Sequence, residues 1–282
     1  MEEKYYKCYN ADALLGFNPV DRIRDHIKRT DSIIKYLIEL QKDVAPDYVE
    51  ALVKRLLSLI NDYKIDTNSF NLKAIAKELS YLKQGDLLTD LIIRYIAKEL
   101  GLPEKSKIKS ESAEFTNLSR AKAFEGFSYY RVKAFTDILG KKDGIKLYSK
   151  ILSLIVKDMN NSMKINENDI IKARGERSVK RWCKVGAGDF CFKIFDDNKI
   201  LYRFDKCVTH EALKSFNDPD VAYIASCFIG DIEEYNVSDF IHLRRTQTLH
   251  HGDFCDELYW DSRVHNNPEQ PSLEYARKIG KT

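Results

Sequence analysis

The sequence predicts an α+β fold, an N-terminal helical layer followed by a domain with an antiparallel sheet packed by helices. Three observations carry this. Apolar residues recur at helical spacing through about the first hundred positions, a polar and charged stretch from Lys105 to Ser112 interrupts them, and after Asn168 the texture becomes that of strands. The expected domains are a helical region over 1–105 and an α+β domain over 113–282.

Asn18 precedes Pro19, a capping residue followed by the imino acid whose missing N–H costs nothing at a first helical position. Ile23, Ile27, Ile33, Ile34, Leu37 and Ile38 then follow at helical spacing. Pro46 opens a second helix carrying Val49, Leu52, Val53, Leu56, Leu57 and Ile60. A third is expected over about 71–82, and a fourth from Asp86 to Leu100, stopped by Gly101 and Pro103. Beyond the linker a long helix runs from about Arg120 to Gly140, and another follows Gly144. Phe190–Phe195, Asp196-Asp197-Asn198 and Lys199–Phe204 read as strand, tight turn, strand. Asn217-Asp218-Pro219-Asp220 starts a helix toward Phe228, and strands are expected over Asp239–Leu249 and Phe254–Trp260.

A chain that is 44% hydrophobic and 32% charged is globular rather than disordered. Its +3 charge is the difference of 46 basic and 43 acidic groups, without the clustered cations that nucleic acid requires. The densest basic stretch, Lys172 to Lys184, is broken by Glu176 and reads as a solvated face. No run approaches the roughly 18–20 apolar residues of a membrane span. Met1-Glu2-Glu3-Lys4 is acidic where a secretory leader is basic. The expectation is a cytoplasmic protein with no nucleic-acid or membrane partner, whose six cysteines act as thiols before disulfides. The N-terminal helices are core-forming stripes that also leave a homo-oligomer interface open.

Cys183, Cys191, Cys207, Cys227 and Cys255 crowd toward the C-terminus, while Cys8 stands alone. Cys227 and Asp231 are one helical turn apart, a thiol and a carboxylate that either share a task or are a small buried hydrophobe and a turn residue. His250-His251-Gly252-Asp253-Phe254-Cys255-Asp256 gathers two imidazoles, two carboxylates and a thiol around a glycine expected to supply a positive φ. A nearby imidazolium lowers a thiol pKa, so Cys255 is the expected nucleophile, His250 or His251 its base, and Asp231 or Asp253 an orienting group. On strand alternation His242, Arg244, Thr246 and Thr248 share a face, which favours Arg244 over Arg245 for holding a substrate carboxylate. The rival is a zinc site built from Cys207, Cys227 and Cys255, but no Cys-x-x-Cys pair exists, and neither metal nor cofactor is expected. There is no P-loop, completed GxGxxG, GxSxG or HExxH.

Cys207, Cys227 with Asp231, Arg244-Arg245-Thr246-Gln247-Thr248 and Gly252-Asp253-Phe254-Cys255-Asp256 occur in an order that resembles the L-2-amino-thiazoline-4-carboxylic acid hydrolase family. The resemblance covers roughly Gly126 to Trp260, and Val208 stands where many relatives carry proline. It implies cofactor-independent hydrolysis of a small cyclic amidine, amide or thiazoline-type C–N bond. Arg244, Thr248 and Asp256 would then hold the substrate. Within that class a carboxylate can instead activate water directly, with the cysteines only lining the pocket. The alternatives are a small-molecule- or metal-binding sensor without catalysis, and an interaction protein docking a partner through its N-terminal helices.

Overall fold

The computed structural model describes residues 4–67, 70, 78–82, 87–160, 171–232 and 240–280. It has an α+β fold. The chain divides into two compact units. One comprises Leu14–Ile155 with Ile224–Ser226; the other comprises Met1–Ala13, Val156–Tyr223 and Cys227–Thr282. This differs from a division at 105–113. The helical unit is inserted into the sheet unit, because the first thirteen residues belong with the sheet.

In the helical unit α1 spans Pro19–Gln41 and α2 spans Ala45–Ile60. They are followed by α3, Leu87–Glu99, and α4, Asn117–Leu139. Asn18 caps α1 as its sequence suggests, its side-chain oxygen accepting from the Val20 amide at 2.9 Å. Gly140 ends α4 with φ at +77°, a conformation that only glycine adopts without strain. Ile23, Ile27, Leu37, Leu52, Leu56, Ile92, Ile96, Phe127 and Phe135 fill the interior. Asp31 holds residues 80–82, accepting from the amides of Ser80, Tyr81 and Leu82 at 2.8–2.9 Å. Most of the helix expected over 71–82 lies outside the described residues, and 78–82 are not helical. A small antiparallel pair, β2 (Leu14–Phe17) and β3 (Ala113–Thr116), far apart in sequence, was not foreseen. Helix α5, Lys141–Asn160, follows α4 directly.

The sheet unit is built on five antiparallel strands in the order β1-β4-β5-β7-β6. They are β1, Tyr5–Lys7; β4, Gly188–Asp196; β5, Lys199–Cys207; β6, Ile241–Arg244; and β7, Cys255–Asp261. The β4–β5 hairpin turns at Asp197-Asn198, and the Asn198 amide donates to Asp196 Oδ1 at 2.8 Å. Alternation sorts the residues onto two faces. Phe190, Phe192, Ile200 and Tyr202 pack with Trp182 of α6, Ile171–Lys184. Cys191, Leu201, Leu258 and Trp260 pack with Ala276 of α9, Leu273–Lys278. Arg203, 3% exposed, donates from Nη1 to the carbonyls of Ala276, Arg277 and Ile279 and pairs with both Asp205 oxygens. A cation thereby closes the carboxyl end of α9, where unpaired carbonyls concentrate.

The expectation that every cysteine is a thiol is corrected: Cys8 is disulfide-bonded to Cys183, with Cα atoms 4.7 Å apart. Pairing of β1 with β4 carries Cys8 to the end of α6, a neighbourhood that a separation of 175 residues conceals. Among the described residues no helix is long and apolar enough to cross a membrane.

Candidate functional site

A cleft of about 870 Å³, lined by Asp231, Arg244, Thr248 and His251 among the expected site residues, runs along β6, the last strand of the sheet. Residues 242–248 line it one after another, so both side-chain faces of that edge contribute. The strand expected to reach Leu249 ends at Arg244. Asp256 is the reason. Fully buried, its Oδ1 accepts from the amides of Thr246 and Gln247 at 2.9 and 2.7 Å. Its Oδ2 accepts from Thr246 Oγ1 at 2.6 Å and Gln270 Nε2 at 2.7 Å. One carboxylate thus takes over amides that a neighbouring strand would otherwise satisfy.

Opposite β6 stands Asp231. Helix α8, Pro219–Ser226, begins with Asp218 accepting from the Val221 amide and ends at Cys227, its C-cap. A 3-10 turn over Phe228–Asp231 follows, so the Cys227–Asp231 spacing crosses a change of helix type. Tyr223 donates its hydroxyl to Asp231 Oδ2 at 2.6 Å. Arg245 Nε lies 2.7 Å from Asp231 Oδ1, an ion pair rather than an aligned hydrogen bond. The guanidinium also reaches Glu257 at 3.6 Å. Gly230 makes room for it, since a Cβ there would fall 2.4 Å from Arg245 Nη2.

Burial raises the Asp231 pKa; Arg245 and Tyr223 oppose that shift, while Glu257 and Asp256 add to it. Burial alone would lower the Arg245 pKa, but Glu257, Asp231 and Cys227 more than reverse this, so the guanidinium stays charged. Thr248, 3% exposed, lines the same cleft, and its Oγ1 has no hydrogen-bond partner among the described residues.

The remaining expected residues are dispersed. Arg244 lines the cleft but is tied down, donating to Pro268 O at 2.7 Å and to Asn267 Oδ1 and lying over the Trp260 ring. Cys255 is buried; its sulfur accepts from the Leu249 amide at 3.1 Å. Burial pushes its pKa up, and Cys227, Glu257 and Cys207 push in the same direction, which keeps it a thiol. The expected bases face elsewhere. His250 Nδ1 meets His210 Nδ1 at 3.5 Å, and burial with the two neighbouring histidines lowers its pKa to about 4. His251 lines the cleft with its Nε2 3.0 Å from Asp220 Oδ1. Asp253 is exposed and pairs with Arg277. Gly252 has no positive φ; it is needed because a Cβ would collide with the Gln247 side chain at 2.2 Å.

Tyr223 and Glu257 were not singled out from the sequence, and Arg245 was weighed there but ranked below Arg244. Glu257 follows Cys255 by two on β7, so alternation puts both on one face and was a usable signal. Cys207, Cys227 and Glu257 all influence Cys255, yet among the described residues no group of three or more His, Cys, Asp or Glu is arranged to hold a metal. The rival zinc set therefore does not form in this geometry. Compared with models of protein families, with curated proteins and with solved structures, the chain matches none.

Proposed function

We propose that the protein hydrolyses a small cyclic amidine, amide or thiazoline-type C–N bond in the cleft beside β6, with Asp231 activating water. The observation that carries this is Asp231 itself: a carboxylate on the cleft wall, held by Tyr223 at 2.6 Å and Arg245 at 2.7 Å, with its pKa raised by burial. A base poised above the ordinary carboxylate range takes a proton from water more readily. Water would add to the electrophilic ring carbon as its proton passes to Asp231. Collapse of the adduct would then break the ring C–N or C–S bond, and Asp231 would return the proton to the departing heteroatom. Thr248 Oγ1 would give a buried hydrogen bond to the substrate, and Arg244 would offer its charge at the rim to a carboxylate.

The ordering of Cys227, Asp231, the Arg-Thr-Gln-Thr run and Gly-Asp-Phe-Cys-Asp supports the same reaction class through its likeness to the thiazoline-carboxylate hydrolases. In this mechanism Cys255 is a structural thiol beneath the turn. A binding module without turnover is the second reading, favoured by the fact that both Asp231 oxygens already have partners.

A panel of 2-aminothiazolines and cyclic amides, followed by chromatography of the ring-opened product, tests the proposal. Asp231→Asn should lower kcat at least about a hundredfold, the scale of general-base loss, while Cys255→Ala keeps most of it. Loss in Cys255→Ala with retention in Asp231→Asn would return the role to the thiol. Saturable binding without product from any member would favour the module.

A further inference from the structure

His210 and His250 come from separate segments, the middle of α7 (Val208–Leu213) and the turn before β7, yet their rings face each other. Their Nδ1 atoms are 3.5 Å apart, their centres 5.1 Å apart, and their planes inclined at 58°. Nitrogen-donor hydrogen bonds are shorter, about 2.7–3.2 Å, and parallel stacking would bring the planes close to coplanar. Two imidazoles sharing one metal through Nδ1 at about 2.0–2.1 Å with a tetrahedral angle place their nitrogens about 3.4 Å and their ring centres about 5.2 Å apart. The pair reproduces both separations.

We infer that His210 and His250 form a binding site for a divalent transition metal that favours nitrogen ligands, of the copper(II) or zinc class. They open onto a recess of about 310 Å³ lined also by Leu213, Lys214, Asn217, Asp218, Pro219 and Ala222. That volume accommodates metal-bound water or a small ligand. Two imidazoles are the protein's share, since no larger group of ligating side chains is arranged for a metal among the described residues. The other coordination positions would open on the recess, as in sites that bind exchangeable ligands rather than in closed structural ones. Asp218 on the rim supplies negative charge against the dication, while the Lys214 ammonium that also lines the recess is held by Glu211 at 2.6 Å. The inference is independent of the hydrolytic reading, because the recess and the Asp231 cleft have different linings.

The test uses the full chain, stripped with chelator and titrated with Cu²⁺ or Zn²⁺ by calorimetry, with electron paramagnetic resonance of the copper form. One Cu²⁺ per chain is expected, with coupling to two imidazole nitrogens and tighter binding than Zn²⁺, as the order of metal affinities requires. His210→Gln and His250→Gln should each lose at least about tenfold in affinity, the smaller end of what loss of a supporting ligand group costs; His251→Gln should not. Absence of imidazole coupling in the folded wild-type protein overturns the inference, as does unchanged affinity in His210→Gln. The wild-type spectrum decides even if the half-buried His250 position does not tolerate replacement, and circular dichroism establishes that His210→Gln is folded.

Discussion

Arg245 Nε lies 2.7 Å from Asp231 Oδ1 while its Nη1 lies 3.6 Å from Glu257 Oε1, so one guanidinium stands between two carboxylates from different elements. It joins the turn after α8 to β7. Arg245→Met would leave both carboxylates half-buried and facing each other. Breaking such a pair costs about 3–5 kcal/mol where both groups are buried. Urea unfolding should show a loss in the lower part of that range, since Asp231 and Glu257 keep 18% and 15% side-chain exposure. A change within error would mean that the pairing is absent in solution.

Gly230→Ala tests the same contact from the other side. The new Cβ, 2.4 Å from Arg245 Nη2, must displace the guanidinium from Asp231. The expected outcome is a reduced affinity for cleft ligands together with a loss of stability in the same direction as, but smaller than, that of Arg245→Met, since the guanidinium keeps its charge near Glu257. Wild-type affinity would show that Arg245 has an alternative position.

Asp256 and Asp253 flank Cys255 but predict opposite results. Asp256→Asn replaces a buried acceptor of four hydrogen bonds with a group that, keeping its oxygen for the two amides, must turn an NH2 donor toward the donors Thr246 Oγ1 and Gln270 Nε2. Hydrogen bonds to charged groups contribute about 1.5–3 kcal/mol each, and a thermal melt should fall clearly. Asp253→Asn changes an exposed ion pair and should leave the melt where it was. Equal effects would contradict the burial assigned to Asp256.

His26 sets a pH dependence in the helical unit. Burial, with the charges of Arg131, Arg29 and Arg22, holds its pKa well below the ordinary 6.5. Between that depressed value and 6.5 the unfolded chain binds more protons than the folded one, so stability rises with pH. The contribution is complete above about 6.5 and is lost as pH falls through the folded value. His26→Gln should flatten the acid side of stability plotted against pH. An unaltered slope would show that His26 is charged when folded.

Thiol chemistry separates the cysteines. Alkylation of native protein at mildly alkaline pH should leave Cys255 unmodified, because its thiol is buried and its pKa is raised. Under denaturing, non-reducing conditions four thiols should react, Cys191, Cys207, Cys227 and Cys255, and six after reduction. Mass spectrometry that finds Cys8 or Cys183 alkylated without reductant would remove the disulfide.

Local signals in the sequence were read well where one residue fixes one event. Asn18-Pro19 marks the start of α1, Gly140 the end of α4, Asp197-Asn198 the hairpin turn, and Asp218-Pro219 the start of α8. Strand alternation failed after Arg244 because Asp256, twelve residues on, captures the Thr246 and Gln247 amides and ends the pleat. Arg245 rather than Arg244 therefore meets Asp231. The histidines beside Cys255 in sequence were turned away by longer-range partners, His210 and Asp220, which neighbour spacing does not reveal. Tyr5–Lys7 is too short to carry a periodic signal, so its membership in the sheet was invisible, and with it the nesting of the two units.

That nesting and the Cys8–Cys183 bond together give the backbone an unusual connectivity. All of the segment Leu14–Ile155 lies between the two bridged cysteines, so the helical unit hangs within a covalent ring. A protease that cuts once inside it opens the ring without releasing a fragment. The nicked chain keeps its full mass until a reductant is added, and Met1–Ala13 stays tied to the rest of the sheet unit.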